Sequence, residues 1–182
     1  MKMRLKEKYI KQIIPEMKKR FGFKNDLSAP KIQKVTVNVG LNINQAGKDS
    51  KLQELAEDVL TRITGQKPAK RIAKKSISGF KLRQGQLVGL MVTLRGQRMY
   101  DFIEKLINIT LPRVRDFRGL DKKSLDKSGN LSIGFKEHIV FPEVNINEIE
   151  RVCGLGIVIT VKGKNKEENF GLLKLIGFPF GE

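Results

Sequence analysis

Residues 34–40 read KVTVNVG. Val35, Val37 and Val39 alternate with Thr36 and Asn38, and Gly40 ends the run. A period of two over β-branched residues predicts a strand with one apolar and one polar face. The stretch 87–95, LVGLMVTLR, repeats the pattern: Val88, Leu90, Val92 and Leu94 share one face, Gly89, Met91, Thr93 and Arg95 the other. In 155–161, LGIVITV, the apolar set is Leu155, Ile157, Ile159 and Val161. Strands with one solvated face belong to antiparallel sheets that are covered on one side only.

Between the strands the period changes to that of a helix. Leu52, Leu55, Ala56, Val59, Leu60 and Ile63 form an amphipathic stripe, with Asp49 or Ser50 as cap and Gly65 as stop. Tyr9, Ile10, Ile13, Ile14, Met17 and Phe21 form a second stripe, with a kink or a fresh start expected at Pro15. Tyr100, Ile103, Leu106 and Ile107 define a third helix that ends near Pro112, and Phe170 to Ile176 a short last one. A short strand is expected between Pro68 and about Lys74, a loop at 76–86, an exposed basic loop at 113–130, and a short hairpin through 131–143. The fold class that follows is α+β: two layers, a largely antiparallel sheet, helices packed on one face, the other face open. The open face would carry Thr36, Asn38, Thr93 and Arg95. No repeat, low-complexity tract or linker divides residues 1–182, so a single domain is expected.

The chain carries 36 Lys and Arg against 19 Asp and Glu, a formal charge of +17. Self-repulsion of that size disfavours the free protein and suits a polyanionic partner. Nucleic acid is the first candidate and an anionic membrane surface the second. The first twenty residues lack the apolar core of a secretory signal, and no apolar run approaches the ~20 residues of a membrane span. The single cysteine, Cys153, excludes an internal disulfide. A cytoplasmic protein is expected.

Catalytic chemistry is poorly supported. The one histidine, His138, and the one cysteine leave little for acid–base, nucleophilic or metal-assisted schemes. Structural roles suit both better, and no metal or cofactor is expected. Residues 40–49 miss the phosphate-loop pattern: six residues separate Gly40 from Gly47 where four are needed, and Asp49 stands where a hydroxyl should. The glycines of 154–159, GLGIVI, lack the third glycine of a dinucleotide fingerprint and lie in a strand.

What stands out is charge placement. From Val59 to Tyr100 there are ten Lys and Arg and no carboxylate. The cations alternate with Ile72, Ile77, Phe80 and Leu82, which suits a folded surface better than a flexible tail. Phe80 has two fates on residue type alone: stacking on an exposed base or ribose, or tucking into the core. If about six of these charges met phosphates, affinity would fall on the order of 10³-fold between 50 and 200 mM salt. Asn38, Gln66 and Thr93 are uncharged groups able to read 2′-hydroxyls or base edges.

Seven blocks then occur in order: VTVNVG, ITGQKP, KKSISGFKLRQG, VTLRGQRMYDF, LPRVRDFRGL, GFKEHIVFPE and the terminal GFPF. Together they resemble the bacterial large-subunit ribosomal protein five, the 5S-ribosomal-RNA-binding family, over essentially the whole chain. The resemblance implies a structural constituent of the large subunit, with no catalytic role. Its implied partners are 5S ribosomal RNA in the central protuberance, neighbouring 23S ribosomal RNA and other 5S-associated proteins. Peptidyl-site transfer RNA and small-subunit protein thirteen, across an intersubunit bridge, complete the set, and no membrane is involved.

Carried onto this chain, the 5S-binding residues are Asn38, Gly40, Thr64, Gln66, Lys67, Arg71, Thr93 and Arg95. The loop toward transfer RNA is Lys74, Lys75, Ser76, Ser78, Gly79, Phe80, Lys81 and Arg83. The bridge surface is Arg113, Arg115, Arg118, Pro142 and Glu143. The chain departs from the family pattern at Arg71 (often a hydroxyl residue), Met91 (often basic), Leu41–Ile43 (usually beginning Gly-Glu) and His138 (usually glutamine). Arg71 would offset a cation lost at Met91. The rival readings are an enzyme using Cys153 or His138, and a general nucleic-acid packer.

Overall fold

The computed structural model describes residues 4–41, 50–144 and 153–181. Five strands form one open antiparallel sheet: β1 (Lys31–Gly40), β2 (Ala69–Ile72), β3 (Leu87–Leu94), β4 (Leu131–Phe135) and β5 (Leu155–Lys162). Their order is β2-β3-β1-β5-β4. Four helical segments complete the α+β fold. Helix α1 runs as Leu5–Lys8, a π turn Tyr9–Ile13, and Ile14–Phe21. Helix α2 is Ser50–Thr64, α3 is Gly96–Lys105 extended by a π turn Leu106–Thr110, and α4 is Lys166–Ile176.

Alternation in sequence becomes alternation in burial. Val35, Val37, Val39, Leu90, Val92, Leu94, Leu155, Ile157, Ile159 and Val161 are all buried. Thr36, Met91, Thr93 and Gly156 are half-buried, and Asn38 is exposed. The sheet therefore has one face in the core and one open.

The chain divides into two compact units. The first is Met1–Val35, Leu94–Ile133 and Val158–Glu182; the second is Thr36–Thr93 and Gly134–Ile157. In the first, α1 packs on α3 and α4. Tyr9 anchors α1: its ring meets Tyr100 with centroids 5.9 Å apart, and its hydroxyl donates to the Pro30 carbonyl at 3.0 Å. Burial, then the neighbouring Tyr100, pushes the Tyr9 hydroxyl pKa up to about 12. In the second, α2 buries Ala56, Leu60 and Ile63. It stops at Gly65, whose φ of +67° suits glycine.

Several expectations are corrected. Pro15 does open a fresh segment, as the second residue of the α-helical run Ile14–Phe21, but that segment does not start from a loop. The chain is already helical, and the widened π turn just before Pro15 accommodates a ring that would otherwise press on the preceding turn. Ile10, placed in the apolar stripe, is 56% exposed, because the π turn shifts the phase of the helix face. Helix α4 begins at Lys166 rather than Phe170; Glu167 and Glu168 in its first turn favour the positive end of the helix dipole. Within 131–143 no second strand follows β4. The chain instead makes a 3₁₀ turn, His138–Val140, held by buried His138 and Phe141. The basic stretch 113–130 is exposed only in part, since Leu120 and Leu125 are buried. Leu125 also bridges to Leu131, and Leu120 to Phe180. The cap expected at Asp49 lies outside the described residues, as do Asn42 and Ile43.

Candidate nucleic-acid interface

The second unit holds most of the expected RNA-facing residues. Asn38 is exposed on β1, and among the described residues its amide has no hydrogen-bond partner. Its side chain rests over Gly156 of β5. A Cβ added at Gly156 would stand 2.6 Å from Asn38 Oδ1 and 3.4 Å from Nδ2. Gly40 ends β1 with open space where a side chain would be. Gly89 of β3 is needed by the sheet itself, since a Cβ there would sit 2.6 Å from the Val39 carbonyl oxygen. Thr93 is half-buried on the same strand as Met91.

At the end of α2 the buried Thr64 hydroxyl donates to the Leu60 carbonyl at 2.6 Å and accepts from the Gln66 N–H at 3.3 Å. Thr64 thus shapes the turn from which half-buried Gln66 and exposed Lys67 project. Glu57 lies beneath them, with Lys67 Nζ 3.5 Å from its Oε1 and Lys70 Nζ 3.6 Å from its Oε2. Pairs this exposed are weak, so a phosphate can replace the carboxylate. Arg71 faces solvent on β2 and its Nη2 lies 3.5 Å from Met91 Sδ. Arg71 and Met91, two of the positions read in the sequence as departures, are therefore in contact, and the cation stands over the methionine.

Beyond β2 the chain forms a small built hairpin rather than a loose loop. Ile77 and Leu82 exchange backbone hydrogen bonds at 2.9 and 3.1 Å. Ser76 Oγ accepts from the Gln84 N–H at 2.9 Å, and the Gly85 N–H donates to the Ala73 carbonyl at 2.9 Å. Lys81 takes the left-handed conformation at the tip, φ 52°. Lys74, Lys75, Ser76, Ser78, Gly79, Lys81 and Arg83 are exposed or nearly so. Phe80 is 69% exposed, and Ile72 and Ile77 are also exposed, which decides against a core position for Phe80.

The remaining expected residues are dispersed. Arg95 belongs to the first unit, where its Nη1 donates to the Gln33 carbonyl at 3.4 Å. Arg113, Arg115 and Arg118 are exposed in that unit, whereas exposed Pro142 and half-buried Glu143 belong to the second.

The rival chemistry has a structural explanation. His138 is 3% exposed, and its Nδ1 accepts from the Cys153 N–H at 3.1 Å. Burial lowers the His138 pKa against the opposing backbone bond and the Glu137 charge, and burial raises the Cys153 thiol. A thiol whose pKa is raised is a poor nucleophile. Among the described residues no three His, Cys, Asp or Glu gather as metal ligands, and no helix is long and apolar enough to cross a membrane.

Sequence reasoning missed Gly156 as a neighbour of Asn38, although a glycine inside a strand signals a bulge or a close approach. It also missed Glu57, whose partners come from beyond the helix end.

Comparison with known proteins is consistent along the chain. A family model described as Ribosomal protein L5 matches residues 25–83, and one described as ribosomal L5P family C-terminus matches 87–180. The large ribosomal subunit protein uL5 of Pelagibacter ubique is 49% identical over 177 residues, covering 97% of this chain and 95% of that protein. The protein of the same description from Thermoanaerobacter sp. is 47% identical, covering 98% and 99%. That from Herpetosiphon aurantiacus is 48% identical, covering 97% and 98%.

Proposed function

The chain belongs to the ribosomal protein L5 family, and from that premise we propose that it is a docking protein for 5S ribosomal RNA in the large ribosomal subunit. As a member of a ribosomal-protein family it is a structural constituent and not an enzyme. Its place of work is the large subunit in the cytoplasm, and 1–182 acts there as one functional domain. The 5S-binding face is Asn38, Gly40, Gln66, Lys67, Arg71 and Thr93, with Thr64 shaping the turn; Arg95, in the first unit, is a separate cation for the same RNA. In the central protuberance this face holds 5S RNA beside 23S RNA and the other 5S-associated proteins. The hairpin Lys74–Arg83 reaches peptidyl-site transfer RNA, and Arg113, Arg115, Arg118, Pro142 and Glu143 contact small-subunit protein thirteen.

One observation carries the reading. The acid-free span folds so that Lys67, Lys70 and Arg71 stand in the same unit as the uncommitted amide of Asn38. Cations supply affinity without sequence information, and a polar group fixes register. Binding is then rigid docking onto a preformed surface.

The test is a titration of the purified chain with 5S RNA in about 200 mM salt, where phosphate attraction alone is much weakened. A stoichiometric complex that duplex DNA does not displace is expected. Equal competition by duplex DNA would mean a general nucleic-acid packer instead.

A further inference from the structure

We propose that Gly156 is the positioning residue for Asn38: the bare strand position lets the Asn38 amide lie against β5, where its donor and acceptor both face the RNA. The inference rests on the reading of Asn38 as a 5S contact and adds a residue from a different strand to that site.

The geometry is direct. The only atoms within 4 Å of an added Gly156 Cβ, outside its chain neighbours, that come among the nearest three belong to Asn38: Oδ1 at 2.6 Å, Cγ at 3.3 Å and Nδ2 at 3.4 Å. Gly156 has an ordinary extended backbone with no positive φ, so no turn requires glycine there. Glycine in a strand interior weakens it, and side-chain packing is lost. What the missing side chain leaves room for is the Asn38 amide. That amide is exposed and unpartnered among the described residues. An amide with both groups unspent can bond a ribose hydroxyl or a base edge bidentately, but only from a fixed position.

A methyl group at 156 has one easy escape. It meets the end of a short exposed side chain, not backbone, so the amide moves and the strand stays. Gly156→Ala should therefore misplace the recognition group in a folded protein. Three variants are compared with the parent in 5S RNA titrations, with thermal unfolding and the salt slope measured alongside: Asn38→Ala, Gly156→Ala, and both together.

Expected are a loss on the order of 10-fold for Asn38→Ala, the magnitude of one good bidentate contact, a similar loss for Gly156→Ala, and a double variant no worse than either single. The salt slope should not change, because no charge is removed. Parent-like affinity of Gly156→Ala beside a weakened Asn38→Ala would overturn the positioning role and leave the 5S reading intact. So would losses that multiply in the double variant. Parent-like affinity of Asn38→Ala would remove Asn38 from the interface, and the inference with it. If Gly156→Ala fails to fold, the double variant, which lacks the clashing amide, should fold again; an unfolded double variant would also overturn the proposal.

Discussion

Two asparagines in the two units show opposite uses of the same side chain. Asn169, in the first unit, is 1% exposed, and its Nδ2 donates to the Ser128 carbonyl at 2.7 Å. A Cβ added at either Gly129 or Gly163 would collide with it. Nearby, Asn130 takes two bonds with Asp126, at 2.8 and 2.7 Å, and its Oδ1 accepts from the Val161 N–H at 3.0 Å. Asn38, in the second unit, is exposed and uncommitted. Buried polar groups are costly unless bonded, so the first pattern maintains the fold. An exposed amide bonded only by solvent can exchange that water for a partner's group. The comparison predicts that substitutions at the first network cost stability and spare RNA affinity, and that substitutions at the second do the reverse.

The largest effect is expected for Gly129→Ala. Gly129 has φ +79°, and a Cβ there would lie 2.7 Å from Asn169 Cβ. Left-handed strain and overpacking together should remove about 3 kcal/mol, lowering the melting temperature by roughly 6–12 °C. A melting temperature within a degree of the parent would break the contrast between the units.

Asn169→Ala comes next. It strands the Ser128 carbonyl but also removes Asn169 Oδ1, a buried oxygen with no hydrogen-bond partner among the described residues. The two effects oppose, so a net loss of about 1–2 kcal/mol in urea unfolding is expected, with 5S affinity unchanged. A fall in affinity of the folded variant would mean that this network, too, faces RNA.

Acid should sharpen the comparison, since each region carries one group with a lowered pKa. For buried His138 of the second unit, burial is the main cause. The folded state then holds fewer protons than the unfolded one, so stability is complete above the ordinary histidine value of 6.5 and declines as pH falls through it. For Asp126 of the first unit, burial pushes the carboxyl up, but the summed hydrogen bonds from Asn130, Ser128 and Gly129 outweigh it and hold the pKa down. Its contribution is complete above the ordinary value of 3.8 and fades only below that. Urea midpoints measured from pH 7 to pH 3 should fall in two steps, and His138→Gln should remove the upper one. A midpoint that stays flat between pH 7 and 5 would show that His138 does not titrate against the fold.

The strands were legible because every one of the valines at 35, 37 and 39 points the same way, and nothing outside the strand is needed to see it. Helix α4 was read short because its first turn, Lys166–Asn169, is polar in sequence; Glu168 and Asn169 are nonetheless buried, Asn169 bonding the Ser128 carbonyl and Glu168 accepting from the Lys164 N–H, which local periodicity does not reveal. The expected hairpin after β4 failed for a similar reason. His138 bonds Cys153, fifteen residues on, and that pairing bends the segment into a turn. At the candidate site the lack of carboxylates was visible in composition, and Asn38 and the basic stretch in sequence, the latter as a loop and not as the hairpin it forms. Glu57 beneath two lysines, Arg71 over Met91 and Gly156 under Asn38 were not, because each is a contact between different elements.

The smallest effect is expected at the hairpin tip. Phe80 is 69% exposed and the charges of Lys81 and Arg83 point into solvent, so little native packing depends on them. Phe80→Ala, and separately Lys81→Ala with Arg83→Ala, should change unfolding free energy by less than about 0.5 kcal/mol. They should also leave 5S affinity nearly intact, because the proposed 5S face lies on β1, β3 and the end of α2. Transfer-RNA affinity is where a loss belongs, and for Phe80 a stacked base would make it about 1–3 kcal/mol. A collapse of 5S affinity in either variant would show that the two RNA surfaces have been exchanged. The charge-rich hairpin would then be the anchor, and the open sheet face with Asn38 the part that reaches for the second RNA.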